Sequence, residues 1–179
     1  MIGTTDSSRG SPPFAQVHSC RTESFPLLFV TRYCGVELSS VAAAVHEALG
    51  VLDAHLKRLR VARPRDVVVT YRNHMSQSVT VDIGYVVALE TVAQASGEIT
   101  GGWSPGGSML WYLPHAGIQG VFDAHEDLRR LAEGQGLSVS ATVWQRFDSR
   151  ALHGQPILPR TRAYVPLAHP AGQPSAATS

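Results

Sequence analysis

The sequence predicts an α+β fold made of two fused strand-helix-strand-strand modules, related by pseudo-twofold symmetry around a central cleft. The main observation is an internal repeat, in which the nine residues Leu28–Val36 resemble Leu110–Ile118 at one constant offset. Each segment runs into a helical pattern, and each half closes on a similar stretch, at Asp82–Val87 and Thr161–Pro166. A groove between two such halves is a common ligand site.

The first module, residues 25–90, is predicted to begin with a strand and a long helix. The run 26–33 is short, apolar and β-branched, which is typical of a strand. Ser39 or Ser40 then offers a helix N-cap, and Pro64 prevents the helix from continuing. The apolar side chains that recur at steps of three and four, as in an amphipathic helix, are Val41, Val45, Ala48, Leu52, Leu56 and Leu59.

Two further strands complete the first module. Residues 67–71 and 79–88 are rich in β-branched side chains and are separated by a polar turn. Gly84 lies inside the second of these strands, where a glycine indicates a β-bulge. The glycine-rich residues 91–107 separate the modules and are predicted to form a loop or a weak strand.

The second module, residues 108–168, repeats the same order of elements. A strand at Met109–Leu113 is followed by a turn at Gly117 and by a second amphipathic helix, with later strands at 139–147 and 162–167. The apolar positions of this helix include Val121, Phe122, Leu128, Leu131 and Ala132.

Length and composition predict one folded domain at residues 25–168. The chain has 179 residues, of which 44% are hydrophobic, and this is enough apolar material for a packed core. Residues 1–24 and 169–179 are rich in Ser, Thr, Gly and Pro without an apolar period, so we expect them to be flexible tails.

Charge, cysteine and histidine content exclude several classes of function. A net charge of +1 gives no electrostatic reason to expect a nucleic-acid or membrane partner. Cys20 and Cys34 are too few for a disulfide framework, and no signal peptide or membrane-spanning run is recognisable, so we expect a cytoplasmic protein. The histidines lack the spacing of a metal site, so no metal or other cofactor is predicted. The oligomeric state is left open.

The candidate functional residues are aromatic side chains and one glutamine. On the predicted last-but-one strand, Gln145 and Phe147 share one face. Burying an amide without a partner costs about 1–3 kcal/mol, so Gln145 either bonds to protein groups or meets a ligand. Only one of Trp111 and Tyr112 can face the cleft. We favour Trp111, because its repeat partner Phe29 then lines the opposite wall.

The chain from Phe25 to Leu167 resembles the GyrI-like small-molecule-binding domain, which is the effector-binding domain of some AraC- and MerR-type bacterial regulators and also occurs as stand-alone proteins. The segments that carry the resemblance are His115–Gly117, Gln119–Glu133, Trp144–Phe147 and Ala163–Leu167, with Tyr33–Gly35 and Val81–Gly84 in the first module. The resemblance implies a fold of two fused strand-helix-strand-strand modules. Family members bind bulky, often aromatic or cationic compounds between the modules, and a few stand-alone relatives are hydrolases that open reactive cyclopropane rings.

The sequence departs from this family at its central polar residue. The family usually has a strand-borne glutamate where this chain has Gln145, and Gln119 stands in place of a usual tyrosine. A carboxylate in an apolar cleft neutralises a cation or acts as a general base, whereas an amide does neither. The resemblance therefore implies a neutral, bulky aromatic or hydrophobic small molecule as the partner. Asp82 and Glu90 are alternative carboxylates that the sequence does not place in the cleft.

The leading hypothesis is a stand-alone bacterial protein that binds a natural product in the cleft, as a sensor, by sequestration or for self-resistance to an antibiotic. One alternative is an enzyme acting on a natural product in the same cleft, with Gln145 as a catalytic hydrogen-bond donor. Another is a protein-contact regulator such as a gyrase inhibitor. Ligand specificity is expected to lie in the second module. The predicted ligand-binding residues are Phe29, Tyr71, Trp111, Gln145, Phe147 and Tyr164.

Overall fold

The structure is a computed structural model that describes residues 14–74, 77–115, 117–152 and 161–168. The predicted α+β class is confirmed, with nine strands and four helices in these ranges. The strands are β1 (Phe14–Thr22), β2 (Pro26–Gly35), β3 (Asp66–Arg72), β4 (Ser78–Val86), β5 (Ile99–Trp103), β6 (Gly107–Pro114), β7 (Ser138–Val139), β8 (Val143–Asp148) and β9 (Ala163–Ala168). The helices are α1 (Leu38–Arg58), α2 (Leu89–Val92), α3 (Gly117–Gly134) and α4 (Ser149–Leu152).

The strands form one large sheet in which every pairing is antiparallel. Its order is β1-β6-β9-β8-β3-β4-β2-β5, and the short β7 also pairs with β9. The strands of the first half, β3, β4 and β2, therefore lie beside those of the second half, β8, β9 and β6. The two halves join where β3 pairs with β8.

The long helices α1 and α3 pack on the same face of this sheet. Side chains alternate between the faces of a strand, so Val67 and Val69 of β3 join the main core while Val68 does not. Leu52 of α1 and Val121 of α3 belong to that same main core. The opposite face is covered by none of the described helices and is here called the open face. Its buried residues form a separate cluster of Leu27, Val68, Met109 and Trp144.

Strand β1 corrects one sequence prediction. Residues 1–24 were expected to be a flexible tail, but Phe14–Thr22 forms an edge strand paired with β6. An edge strand with one neighbour buries few side chains, and most of residues 16–22 are exposed or half-buried, so the stretch lacks the apolar pattern of a core strand. The rest of the predicted N-terminal tail up to residue 13, and the predicted tail 169–179, lie outside the described residues.

Gly84 does not form the expected β-bulge, because the pairing of β4 with both of its neighbours runs through it without interruption. A Cβ at this position would lie 2.8 Å from the Leu28 carbonyl oxygen and 2.8 Å from Phe29 Cβ. The glycine therefore allows the close approach of β2.

Two other elements differ from expectation in detail. The predicted strand 139–147 is divided into β7 and β8 by a turn in which the backbone N–H of Thr142 donates to Ser140 Oγ at 3.1 Å. Helix α1 begins with Glu37 as its N-cap, before the serines expected in that role. Among the described residues, no helix is long and apolar enough to cross a membrane.

Candidate functional site

A cavity of about 330 Å³ lies on the open face, mainly over the strands of the first half. We call it the open-face cavity. Volumes of this order suit small-molecule ligands. Its lining residues are Leu27, Phe29, Val68, Thr70, Arg72, Asp82, Gly84, Trp103, Pro105 and Thr142.

The apolar part of the cavity is built around the ring of Phe29. Two glycines make room for this side chain, since Gly84 lies opposite it on β4 and a Cβ on Gly102 would lie 3.0 Å from Phe29 Cε1. Trp103, at the end of β5, lines the rim with 58% of its surface exposed. Aromatic rings at these positions offer flat apolar surface to a ligand.

The polar part of the cavity contains an ion pair. Arg72 Nη2 donates to Asp82 Oδ1 at 2.7 Å, and Arg72 Nε lies 2.7 Å from Asp82 Oδ2. The hydroxyl of Thr31 also donates to Asp82 Oδ1, at 2.7 Å. Within the described residues, Arg72 Nε makes no hydrogen bond despite this distance, so the pair is joined by one charge-assisted hydrogen bond and by the closeness of the opposite charges. Asp82 therefore lines the cavity without presenting an uncompensated negative charge.

Two threonine hydroxyls face the same space. Thr70 is only 7% exposed, yet its hydroxyl has no hydrogen-bond partner within the described part of the chain. The hydroxyl of Thr142 also has none there, although its backbone N–H bonds to Ser140. A hydroxyl can both donate and accept, so each of these groups is available to a ligand.

The six predicted site residues are not brought together. Phe29, Trp111 and Tyr164 lie on the open face, and of the six only Phe29 lines the cavity. The other three, Tyr71, Gln145 and Phe147, lie on the helix-covered face. Residues of both faces alternate along each strand, so a site assembled from neighbouring sequence positions divides between the two faces.

Gln145 takes the first of the two alternatives that the sequence left open, since its amide bonds to protein groups. The Tyr71 hydroxyl donates to Gln145 Oε1 at 3.0 Å, and Gln145 Nε2 donates to the Thr161 carbonyl oxygen at 3.3 Å. Gln145 is 4% exposed. Burial raises the pKa of the Tyr71 phenol well above its usual range, so this group remains a donor. The amide thus ties β3, β8 and the segment before β9 together inside the core.

Trp111, rather than Tyr112, faces the open side of the sheet. Its ring stacks on His18 of β1 at a centroid distance of 4.2 Å, and the Arg162 guanidinium lies 4.4 Å from the ring centroid. These neighbours come from either side of β6 and occupy much of the ring's surface. Tyr112 is buried in the main core and donates to the Val121 carbonyl oxygen at 2.7 Å.

Tyr164 also lies on the open face, where it stacks on Trp144 with ring centroids 4.5 Å apart. The Trp144 indole N–H points to Met109 Sδ at 3.2 Å. This cluster packs the second half of the open face and adjoins the cavity, because Leu27 and Val68 belong to the same cluster and line the cavity. Ligand specificity was expected to lie in the second module, whereas most residues that line the open-face cavity lie on β2, β3 and β4.

Of the two alternative carboxylates, Asp82 lines the cavity and Glu90 does not, because Glu90 is exposed on α2. Sequence reasoning missed Thr70, Arg72 and Trp103. The available signal was the alternation along β3, where Thr70 and Arg72 interleave with the apolar Val69 and Tyr71.

Two histidines form a hydrogen-bonded link outside the cavity. His125 Nδ1 of α3 lies 3.2 Å from His74 Nε2, and His125 Nε2 lies 2.9 Å from the Ser140 carbonyl oxygen. The ring of His74 also stacks on Phe122 at 5.0 Å. Burial lowers the pKa of His125, and burial together with the neighbouring His125 lowers the pKa of His74. The link joins the end of β3 to α3 and to the turn before β8.

No protein-family model matches the sequence, and no curated protein matches it either. Among solved structures, a hydrolase from Listeria innocua has a TM-score of 0.50 at 12% identity, covering 87% of this chain and 93% of that one. An uncharacterised conserved protein from Listeria innocua has a TM-score of 0.49 at 12% identity, with coverages of 87% and 94%. An integron cassette protein from the Vibrio cholerae mobile metagenome has a TM-score of 0.44 at 9% identity, with coverages of 87% and 97%. At these identities the likeness concerns the fold alone.

Proposed function

We propose that this protein binds a bulky, neutral aromatic or hydrophobic small molecule in the open-face cavity. The observation that carries the proposal is the composition of that cavity, which has apolar and aromatic walls with a few convergent polar groups. Ligand sites in proteins commonly combine these features. Binding of this kind suits a sensor, a sequestering protein or a self-resistance protein.

The neutrality of the ligand follows from the ion pair. A cationic ligand would meet the Arg72 guanidinium, and an anionic ligand would meet the Asp82 carboxylate, at 2.7 Å from each other. Because each charge is compensated by the other, neither is available to balance a charged ligand without breaking the pair.

The proposal includes membership of the GyrI-like family with two duplicated modules. It is supported by the strand order, since in each half the third strand lies between the first and the second, and the halves adjoin through their second strands. A symmetric pair of strand-helix-strand-strand units would produce this order.

Binding without turnover is the form of the proposal that the cavity favours. One structural neighbour is described as a hydrolase, and hydrolysis generally requires a group that activates water. Among the described lining residues Asp82 is the one carboxylate, and it is held by Arg72 and Thr31. The amide of Gln145 is engaged in the core.

A titration with 2-acetonaphthone, a neutral bicyclic ketone, tests the proposal. We expect micromolar binding with quenching of Trp103 fluorescence, and mass spectrometry should recover the probe unchanged. Trp103→Phe should remove most of the quenching, whereas Trp111→Phe, on the same face outside the cavity, should retain it. Absence of binding at millimolar probe would contradict the proposal, and a changed probe mass would favour an enzyme.

A further inference from the structure

We propose that the open-face cavity selects aromatic ligands that carry a neutral acceptor oxygen, such as an aryl ketone or aryl amide, and that Thr70 and Arg72 recognise this oxygen. This inference rests on the proposed function and specifies the ligand class for the same cavity. It depends on the order of residues across the sheet and on the hydrogen-bonding groups that the protein leaves unused.

The floor of the cavity consists of two adjacent rows of residues. Strand register places Phe29, Gly84 and Val68 side by side across β2, β4 and β3. The next row on the same face is Thr31, Asp82 and Thr70. Rows on one face of a sheet are roughly 7 Å apart, because they are two residues apart along the strand. An apolar row thus lies beside a polar row.

This spacing fixes how a ligand would lie. If the ring system of a ligand packs against Phe29 in the apolar row, a substituent attached directly to that ring system lies over the polar row. In a bicyclic ketone or amide, the far ring and the carbonyl group are separated by a distance similar to the spacing between the two rows. The cavity volume of about 330 Å³ accommodates a molecule of this size.

The cavity contains hydrogen-bond donors that the protein itself does not use. A guanidinium has more N–H groups than Arg72 uses on Asp82. The Thr70 hydroxyl is open to the cavity and has no partner among the described residues. On the acceptor side, Asp82 Oδ1 already accepts from Thr31 and Arg72, and Asp82 Oδ2 lies against Arg72 Nε at 2.7 Å. The polar row therefore has donors in excess and favours an acceptor from the ligand.

Thr70 gives this preference its discriminating power. The hydroxyl is open to the cavity, so a ligand that covers it without supplying a hydrogen bond removes its hydration and leaves it unpaired. A ligand oxygen within reach of the hydroxyl restores the lost hydrogen bond. Sites that contain unpaired buried polar groups reject analogues lacking the matching group for this reason.

The test compares two probes of the same shape, 2-acetonaphthone and 2-isopropenylnaphthalene, in which a CH₂ group replaces the carbonyl oxygen. Calorimetric titration of the full-length protein should show the ketone binding about five- to ten-fold more tightly, which is the effect expected of one hydrogen bond. Thr70→Val should reduce this preference, because only Arg72 then remains to donate, while leaving the affinity for the hydrocarbon unchanged or higher. Thr100→Val, at an exposed position of β5 that lies beside Phe29 but is not among the residues lining the cavity, is the matched control and should retain the preference.

The outcomes separate this inference from the proposed function. Equal affinities in the unmodified protein, or a preference of unchanged size in Thr70→Val, would overturn the inference while leaving binding itself established. Tighter binding of 2-naphthoate than of the ketone would also overturn it, because the acceptor would then be an anion. Failure of both neutral probes to bind would overturn the proposed function and the inference with it. The comparison of probes in the unmodified protein decides the matter even if Thr70→Val does not fold.

Discussion

At the scale of single residues, the two polar side chains best suited to bind a ligand or to act in catalysis, Gln145 and Asp82, have different roles. Gln145 uses both atoms of its amide on Tyr71 and Thr161 within the core. Asp82 faces the open-face cavity but is neutralised by Arg72. The glutamine therefore supports the fold, and in our proposal the ion pair determines which ligands the cavity accepts.

Replacing Gln145 tests its structural role. Gln145→Ala should lower the free energy of unfolding by about 1–3 kcal/mol, because it leaves a buried Tyr71 hydroxyl without an acceptor and opens a small void. Chemical denaturation measures this change. Tyr71→Phe should lower the free energy of unfolding by less. It removes only the hydrogen bond from Tyr71 to Gln145, and the bond from Gln145 to the Thr161 carbonyl oxygen remains. A loss of probe affinity without loss of stability in Gln145→Ala would contradict this assignment.

Replacing Asp82 tests the neutrality of the cavity. Asp82→Asn leaves the Arg72 charge without its partner, so the affinity for 2-naphthoate should rise about ten-fold while that for 2-acetonaphthone changes little. The comparison uses calorimetry at low ionic strength, where charge effects are strongest. Glu90→Gln removes an exposed carboxylate outside the cavity and is the control. An unchanged preference in Asp82→Asn would show that the pair does not govern ligand charge.

At the scale of elements, the link between His74 and His125 connects β3, α3 and the turn that leads into β8. Arg72 and Thr142, two residues from His74 and Ser140 respectively, line the cavity. The link therefore holds together two segments that contribute to the polar end of the site. Glu126 opposes the lowering of both histidine pKa values, but burial dominates.

This link predicts a pH dependence of stability. Because the folded pKa of each histidine lies below its usual value of 6.5, the unfolded chain binds more protons in acid. The stability contributed by the neutral pair is complete above pH 6.5 and is lost as the pH falls from 6.5 through the folded pKa values. Denaturation curves at pH 7.5 and 5.5 measure the loss. His74→Gln combined with His125→Gln should reduce it, and an unchanged pH dependence in that variant would exclude the link as its cause.

The positions of most helices and strands were predictable from the sequence. The periodicity of α1 and the β-branched run of β3 located those elements correctly, because both are buried on one side by a large core. Strand β1 was missed, because its pairing with β6 depends on tertiary contact and not on its own apolar pattern. Gly84 was assigned to a bulge because the sequence does not reveal the close approach of Phe29.

At the scale of the whole molecule, one sheet with helices on a single face leaves the other face available for a ligand. The sequence predicted the α+β class and the order of strands and helices in two repeated units, and it located the segments rich in aromatic side chains. It could not assign those residues to faces, since that depends on which side of the sheet the helices cover. As a result Phe29 lies in the lining of the open-face cavity, whereas Gln145 and Phe147 lie beneath the helices.

Strand β1 gives a prediction about the whole molecule. Deleting residues 1–22 would make β6 the edge strand of the sheet, paired only with β9. It would also expose the Trp111 ring face on which His18 stacks. Exposed edges of this kind pair with other chains, so the shortened protein should self-associate. Size-exclusion chromatography with light scattering detects this. Deleting residues 1–13 alone keeps β1 and should leave the elution unchanged, and equal behaviour of the two deletions would contradict the role of β1.

The most direct test of the central claim is a crystal structure of the protein with 2-acetonaphthone. The account predicts the naphthalene ring against Phe29 and beneath Trp103, with the ketone oxygen within hydrogen-bonding distance of the Thr70 hydroxyl and the Arg72 guanidinium. A probe bound beside Trp111 and Tyr164, or beneath the helices at Gln145, would contradict it.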